Sequence, residues 1–235
     1  MNFYIELAYI ISAICFVLGL KMLSSKDTAR RGNMLSSLGM FMAVVITLVS
    51  GEIISFRWIA IGIVTGSIIG ALSARLVAMT AMPEMVALFN GSGGLASLLV
   101  AMAVYSESAP EATVTTTALV LAIIIGGITF TGSLMAWGKL SGVLPGKPVI
   151  FAGQKILNSI LVAGILITSI AFIFPALTSD ISPEAFHLLL IFTVVALLMG
   201  ITLVMPIGGA DMPVVISLLN SMSGLAASAA GIAIQ

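Results

Sequence analysis

The 235-residue chain is 60% hydrophobic and only 8% charged, whereas about a quarter of the residues of an ordinary soluble domain are charged. Its formal net charge is zero and its basic residues are scattered, which excludes the basic patch of a nucleic-acid-binding protein. One cysteine, Cys15, and one histidine, His187, exclude an intramolecular disulfide and a Cys/His zinc cluster. We therefore expect a protein embedded in the lipid bilayer, with no metal site and no nucleic-acid partner.

Eight apolar stretches are long enough to cross a hydrocarbon core of about 30 Å, which takes about 20 helical residues. Charged residues, prolines and glycines cluster between these stretches. The predicted spans lie near Phe3–Leu23, Asn33–Val49, Trp58–Val77, Pro83–Tyr105, Val114–Trp137, Ile156–Pro175, Phe186–Met205 and Met212–Ile234. The predicted fold class is all-α, a polytopic transmembrane helix bundle of about eight spans that form one membrane domain over residues 1–235.

The charges between the spans predict an orientation. When the spans alternate, all basic residues except Arg57 fall on one side, namely Lys21, Lys26, Arg30, Arg31, Arg75, Lys139, Lys147 and Lys155. The opposite loops carry the acidic residues Glu52, Glu107, Glu111, Asp180 and Glu184. By the positive-inside rule the basic side is cytoplasmic, so both termini face outside. Because an even number of spans then ends outside, we expect the chain to be part of a longer protein.

One segment of the chain recurs. Residues 82–90 (MPEMVALFN) align with residues 212–220 (MPVVISLLN), and both continue through small residues into Gly-Leu-Ala. By the predicted topology both copies run from inside to outside, so the repeat predicts two parallel helices. Proline suits the first turn of each helix, and each asparagine lies seven residues farther on, about 10 Å deeper at 1.5 Å per residue. The alternative is chance similarity between two small-residue helix starts.

The two repeated amides, Asn90 and Asn220, are the strongest candidates for a functional role. A buried amide needs hydrogen-bond partners, and polar side chains at this depth are rare. An amide does not titrate, but it can orient a water chain or hydrogen-bond a titratable group on a neighbouring helix. The alternative for each amide alone is an interhelical hydrogen bond, worth about 0.6 kcal/mol and up to ~1.7. The matched pair favours function.

Other polar residues admit both a structural and a functional interpretation. Residues 91–94 (GSGG) predict close helix packing or a local opening beside Asn90. The hydroxyl groups of Thr129, Thr131 and Ser133 are expected to bond back to the carbonyl four residues earlier, as is typical in apolar helices, and Asn158 and Ser159 are interpreted as structural too.

The charged residues near the helix ends are interpreted in the same way. Asp211 and Glu84 lie at the inner mouths of the two repeated helices. Asp211 is either a helix N-cap or a contact for a partner that docks from the cytoplasm. His187 lies at the outer end of its span, where an imidazole without a partner is more often solvated than a proton acceptor.

These motifs resemble a known family. Residues 82–90, residues 127–133 (GITFTGS) with Gly138-Lys139-Leu140, and residues 208–224 (GGADMPVVISLLNSMSG) are similar to the membrane domain of the beta subunit of proton-translocating NAD(P) transhydrogenase. The resemblance covers the whole chain in order, and the run Gly-Gly-Ala-Asp-Met-Pro is its most specific part.

The resemblance implies a function as the membrane part of an enzyme. The family couples hydride transfer between NADH and NADP to proton movement, with NAD(H) and NADP(H) bound on soluble domains, so this chain alone would bind no cofactor and be inactive. It implies a ninth helix and an NADP(H)-binding domain beyond residue 235, a membrane-bound alpha subunit, a homodimer, and the bacterial cytoplasmic membrane. Asn90, Ser133 and Asn220 would line the proton pathway, and Asp211 would face the NADP(H) domain.

One departure from the family matters. Many members have a histidine where Asn90 stands, and an amide cannot replace its titration. The resemblance suggests that the alpha subunit then supplies the protonatable histidine. Two competing classes remain open at this stage, namely a small-solute transporter with parallel internal repeats and a purely structural assembly subunit.

Overall fold

The fold is all-helical throughout the residues that the computed structural model describes, which are 3–50, 56–107, 113–178 and 185–234. Within these ranges eight helices are long and apolar enough to cross a membrane, so the predicted all-α fold with about eight spans is confirmed and the chain is a multi-pass membrane protein. The helices are α1 (Phe3–Leu23), α2 (Ala29–Ser50), α3 (Phe56–Leu76), α4 (Met82–Glu107), α5 (Thr113–Leu140), α6 (Gln154–Thr178), α7 (Ala185–Val204) and α8 (Met212–Ile234).

The predicted sidedness stays a prediction. Four of the acidic residues that support it, Glu52, Glu111, Asp180 and Glu184, lie outside the described residues. The helix bounds differ most at α2, which begins at Ala29 rather than Asn33 because Arg30 and Arg31 continue the helix beyond the apolar stretch.

The first of two compact units, Met1–Leu72, contains a hairpin of α1 and α2 that small residues hold close together. A Cβ atom added to Gly19 would lie 2.8 Å from the carbonyl oxygen of Gly32, and one added to Gly32 would lie 2.7 Å from that of Gly19. Tyr9 and Thr47 share a hydrogen bond of 2.9 Å toward the other end of the hairpin. The apolar helix α3 has no buried residue.

The second unit, Ser73–Gln235, is built around α5. Gly91 lies opposite Ser133 and Gly94 lies opposite Gly126, so α4 runs antiparallel to α5. The contacts of Gly132 with Leu219, and of Gly209 with the last turn of α5, show the same for α8. Helices α4 and α8 are therefore parallel to each other, in agreement with the prediction from the repeat.

The two repeated helices also begin in the same way. A 3₁₀ turn, Met79–Ala81 or Gly209–Asp211, leads directly into the Met-Pro pair that opens each helix. The residue before each turn is extended, with φ −65° and ψ 149° at Ala78 and φ −74° and ψ 155° at Gly208. The repeat in the sequence therefore corresponds to a repeated backbone path, with the prolines in the first turn, where no amide hydrogen is needed.

Candidate functional site

The side chains of Asn90 and Ser133 meet between α4 and α5 in the interior of the second unit. The amide nitrogen Nδ2 of Asn90 donates a hydrogen bond of 2.9 Å to the hydroxyl oxygen of Ser133. Asn90 is 7% exposed and Ser133 is fully buried. Two of the three residues predicted to line the proton pathway are thus brought into direct contact.

This buried pair retains free hydrogen-bonding capacity. The carbonyl oxygen Oδ1 of Asn90 is buried and has no hydrogen-bond partner among the described residues. The hydroxyl oxygen of Thr129, one turn before Ser133 on the same face of α5, is also buried and without a hydrogen-bond partner among these residues. Buried polar atoms are nearly always bonded to protein or to water, so each of these oxygens remains available as an acceptor for a water molecule or for a donor from another helix.

Small residues make this approach of α4 and α5 possible. A Cβ atom added to Gly94 would lie 2.8 Å from the carbonyl oxygen of Gly126, and one added to Gly126 would lie 2.7 Å from that of Gly94. One added to Gly91 would lie 3.2 Å from Cβ of Ser133. Small residues at such a seam let the two backbones touch, and they bring the amide on one helix within reach of the hydroxyl on the other. Of the two interpretations of residues 91–94, the structure therefore shows close packing.

Asn220, the third predicted residue, differs from the other two in its exposure. Its side chain is exposed, whereas its predecessor Leu219 packs into the unit against Gly132. Among the described residues no hydrogen bond joins Asn220 to the Asn90–Ser133 pair. Its role in a proton pathway stays a prediction.

The hydroxyl of Thr131 joins α5 to α7. Its single proton is shared between the carbonyl of Leu197, at 2.7 Å, and that of Gly127, at 3.1 Å. The expected back-bond to the fourth preceding carbonyl is therefore present at Thr131, and Ser159 makes the same bond to Lys155 at 3.0 Å. Thr129 and Ser133 do not make it, because the Thr129 hydroxyl has no partner among the described residues and the Ser133 hydroxyl instead accepts from Asn90, so for these two residues the expectation is wrong.

The residues at the ends of α4, α7 and α8 are more exposed. Asp211 is exposed and Glu84 is half-buried, so both can be reached from outside the unit. The residue at the N-cap position of the turn that contains Asp211 is Gly208, which has no side chain to bond. His187 is exposed in the first turn of α7. Asn158, near the start of α6, is half-buried and its Oδ1 has no hydrogen-bond partner.

One end of the second unit, which we name the lysine end, carries Lys139, Lys147 and Lys155. Here α5 and α7 end and α4, α6 and α8 begin. Lys139 is 4% exposed, and its ammonium group donates to the carbonyl oxygens of Met205 at 2.5 Å and Ile207 at 2.6 Å. The sequence predicts Lys139 as a flanking positive charge and gives no indication of its burial. The feature of the sequence that could have drawn attention to Lys139 is its position in the last turn of a long apolar helix.

The comparisons with known proteins agree with one another. A family model described as "NAD(P) transhydrogenase beta subunit" matches residues 5–235. Two curated sequences from Rhodospirillum rubrum, both named "NAD(P) transhydrogenase subunit beta", are 40% identical to this chain over 234 residues. The match covers 95% of this chain but 48% of each relative, so the chain spans about half the length of the curated relatives it matches.

Proposed function

The chain belongs to the NAD(P) transhydrogenase beta subunit family, and we propose on that premise that it forms the proton-conducting membrane part of the enzyme. In this proposal, proton movement through the bundle is coupled to hydride transfer between NADH and NADP+ on soluble domains. The observation that carries it is the buried hydrogen bond from Asn90 to Ser133, with the Asn90 carbonyl oxygen left free, inside a membrane-spanning unit.

The rest of the enzyme supplies what this chain lacks in the proposal. The relatives are about twice as long, which leaves room for a ninth helix and an NADP(H)-binding domain beyond residue 235. NAD(H) would be bound by an alpha subunit that also contributes membrane helices. The complex would be a homodimer of such pairs in the bacterial cytoplasmic membrane, and this chain alone would be inactive.

The Asn90 amide has a definite task in this mechanism. One Nδ2 hydrogen donates to Ser133 and fixes the orientation of the amide, which leaves Oδ1 as an acceptor with no donor of its own among the described residues. An amide has no proton to release near neutral pH, so Asn90 can only hold and orient the group that carries the proton. That group is a water or a protonatable side chain from a partner helix, and it would donate to Oδ1. Asn220 and Asp211 complete the proposal, as a second pathway residue and as the contact for the NADP(H) domain, with Glu84 beside that contact.

The proposal is tested with Asn90→Ala in the complete enzyme reconstituted into lipid vesicles. We expect the rate of proton translocation to fall about tenfold or more, which corresponds to a rise of about 1.4 kcal/mol in the activation free energy. Hydride transfer and internal acidification of the vesicles are measured in the same preparation. Ser92→Ala is the matched control, because Ser92 is exposed and bonds only to the Phe89 carbonyl of its own helix at 2.7 Å.

Two outcomes would contradict the proposal. Normal proton translocation by Asn90→Ala would remove the amide from the pathway. Full pumping after replacement of every membrane histidine of the alpha subunit would remove the partner helix as the source of the titrating group.

A further inference from the structure

We propose that Lys139 is a positioning residue that makes α5 and the turn between α7 and α8 move as one body, so that a change at Ser133 reaches Asp211. The inference rests on the proposed function and adds the element that connects the membrane site to the surface at the lysine end. Lys139 belongs to one of the motifs that resemble the family, but it is not among the predicted site residues.

The contacts of Lys139 are unusual for a lysine near a helix end, where the ammonium group normally extends into water. Here the group is buried, and both of its acceptors are main-chain carbonyls of the segment that follows α7, at Met205 and Ile207. Hydrogen bonds from a charged donor are stronger than neutral ones, and the carbonyl end of α7 carries the negative end of its helix dipole. The ammonium group therefore binds the end of α7 firmly to the last turn of α5.

Backbone hydrogen bonds extend this connection through the loop between α5 and α6. The amide of Gly209 donates to the carbonyl of Gly146 at 2.8 Å, and the amide of Val149 donates to that of Met205 at 3.1 Å. The amide of Leu144 donates to the carbonyl of Gly138 at 2.7 Å, which fixes the loop to α5. The loop, the end of α5 and the turn before α8 are thus one hydrogen-bonded assembly with Lys139 at its buried centre.

The two functional candidates lie on either side of this assembly. Ser133 precedes Lys139 by six residues on α5, about 9 Å at 1.5 Å per residue. Asp211 follows Ile207 by four residues and lies in the 3₁₀ turn that opens α8. Coupling between two sites requires a physical element whose position both sites bias. The assembly around Lys139 is such an element, because any shift of α5 at Ser133 displaces the turn that carries Asp211.

The first experiment uses Lys139→Met in the complete enzyme in lipid vesicles, with protons translocated per hydride transferred as the readout. Methionine keeps an unbranched apolar stem, ends one atom before the position of the ammonium group, and cannot donate to the two carbonyls. We expect the ratio to fall about tenfold, within the 5–150-fold range of typical coupling, while hydride transfer in vesicles made permeable to protons stays within about twofold. Lys139→Arg retains the donors and should keep part of the ratio. Lys147→Met, at an exposed lysine of the same loop, should keep all of it.

A cross-link provides an independent test that also applies if Lys139→Met does not assemble. A Cβ atom added to Gly209 would lie 3.6 Å from Cα of Gly146, and neither glycine has a positive φ. A Cβ atom added to Gly146 meets nothing within 4 Å, so a side chain fits there. With Cys15 replaced by alanine, the pair Gly146→Cys and Gly209→Cys is oxidised, and the mass of the linked peptides verifies that the disulfide has formed. The oxidised pair should leave the ratio unchanged in the wild-type background, should restore it in the Lys139→Met background, and should lose that rescue on reduction.

Each result is decisive. An unchanged ratio in assembled Lys139→Met would overturn the inference, as would a disulfide that forms without rescuing that variant or that stops pumping when Lys139 is present. A wild-type enzyme that translocates no protons would instead overturn the proposed function, so the two failures are distinguishable.

Discussion

Helices α4 and α8 share a sequence pattern, an entry turn and a direction, yet corresponding side chains on the two helices differ in burial. Met82 at the start of α4 is 39% exposed, whereas its counterpart Met212 is fully buried. For the amides the difference is reversed, because Asn90 is 7% exposed and bonded to Ser133, whereas Asn220 is exposed on the surface of the unit. The face of α4 that packs into the unit therefore includes the asparagine, whereas the face of α8 that packs into the unit includes the first methionine and excludes the asparagine.

The comparison teaches that the repeat specifies a backbone path and leaves the environment of each side chain to the neighbouring helices. The amide on α4 forms a site within this chain. The amide on α8 faces the surroundings of the unit, and in hydrocarbon an unbonded amide costs several kcal/mol. Within the proposed function, we therefore expect another part of the complete enzyme to supply the partner of Asn220.

The largest expected difference between the two helices is at their repeated glycines. Gly94→Ala places a methyl group 2.8 Å from the carbonyl oxygen of Gly126, and we expect it to lower the free energy of unfolding of the full-length subunit by ~1–3 kcal/mol. Gly224→Ala is the matched control, because a Cβ atom there meets nothing within 4 Å and alanine favours the helix. Thermal unfolding in detergent, followed by helical circular dichroism, compares the two variants. Equal destabilisation by both variants would mean that the α4–α5 seam is not tighter than the outer face of α8.

A smaller difference is expected at the amides. Asn90→Ala leaves the Ser133 hydroxyl without its donor, so we expect a loss of ~0.6–1.7 kcal/mol in the stability of the same subunit. Asn220→Ala should change that stability by less than ~0.5 kcal/mol, because the side chain is exposed. The effect of Asn220→Ala should appear instead as a loss of proton translocation, measured in the complete enzyme. An Asn220→Ala subunit as destabilised as Asn90→Ala would show that the amide is buried in the subunit.

The smallest expected change in stability is at the entry turn of α8. Asp211→Ala makes this turn match the first one, where Ala81 occupies the corresponding position. Because the carboxylate is exposed, the free energy of unfolding should change by less than ~0.5 kcal/mol, while proton translocation per hydride falls in the complete enzyme. Glu84→Gln, on the entry of α4, is the companion variant for the same pair of measurements. A large loss of stability in Asp211→Ala would indicate that the carboxylate supports the turn, and a structural role would then replace the proposed docking role.

The eight helices and the parallel direction of α4 and α8 could be predicted because they depend on local features, namely apolar length, charge and the repeated Met-Pro start. The exposure of Asn220 could not. In a membrane the apolar periodicity that marks the buried face of a soluble helix is weak, since lipid is as apolar as a protein core. Residues around Asn220 are small or apolar on every side of α8, so no pattern distinguishes its inner face.

The burial of Lys139 could not be predicted from the sequence, for a different reason. It depends on how residues 141–153 fold back against the turn after α7, and that path is set by two glycines with positive φ, Gly142 and Gly153, and by backbone hydrogen bonds between distant segments. Thr129 shows the same limit on a smaller scale. Its hydroxyl could make the usual bond within its own helix, and only the three-dimensional arrangement shows that it does not.

The reciprocal contact of Gly94 and Gly126 also constrains the speed and kind of motion available to the site. Each backbone carbonyl fills the space of the other residue's missing side chain, so α4 and α5 are interlocked against sliding along each other. Helix register shifts take microseconds to milliseconds, whereas side-chain torsions are faster by orders of magnitude. A local switch at Asn90 would then be a rotation of one amide about its χ angles, whereas any displacement of α5 would carry α4 with it as one body.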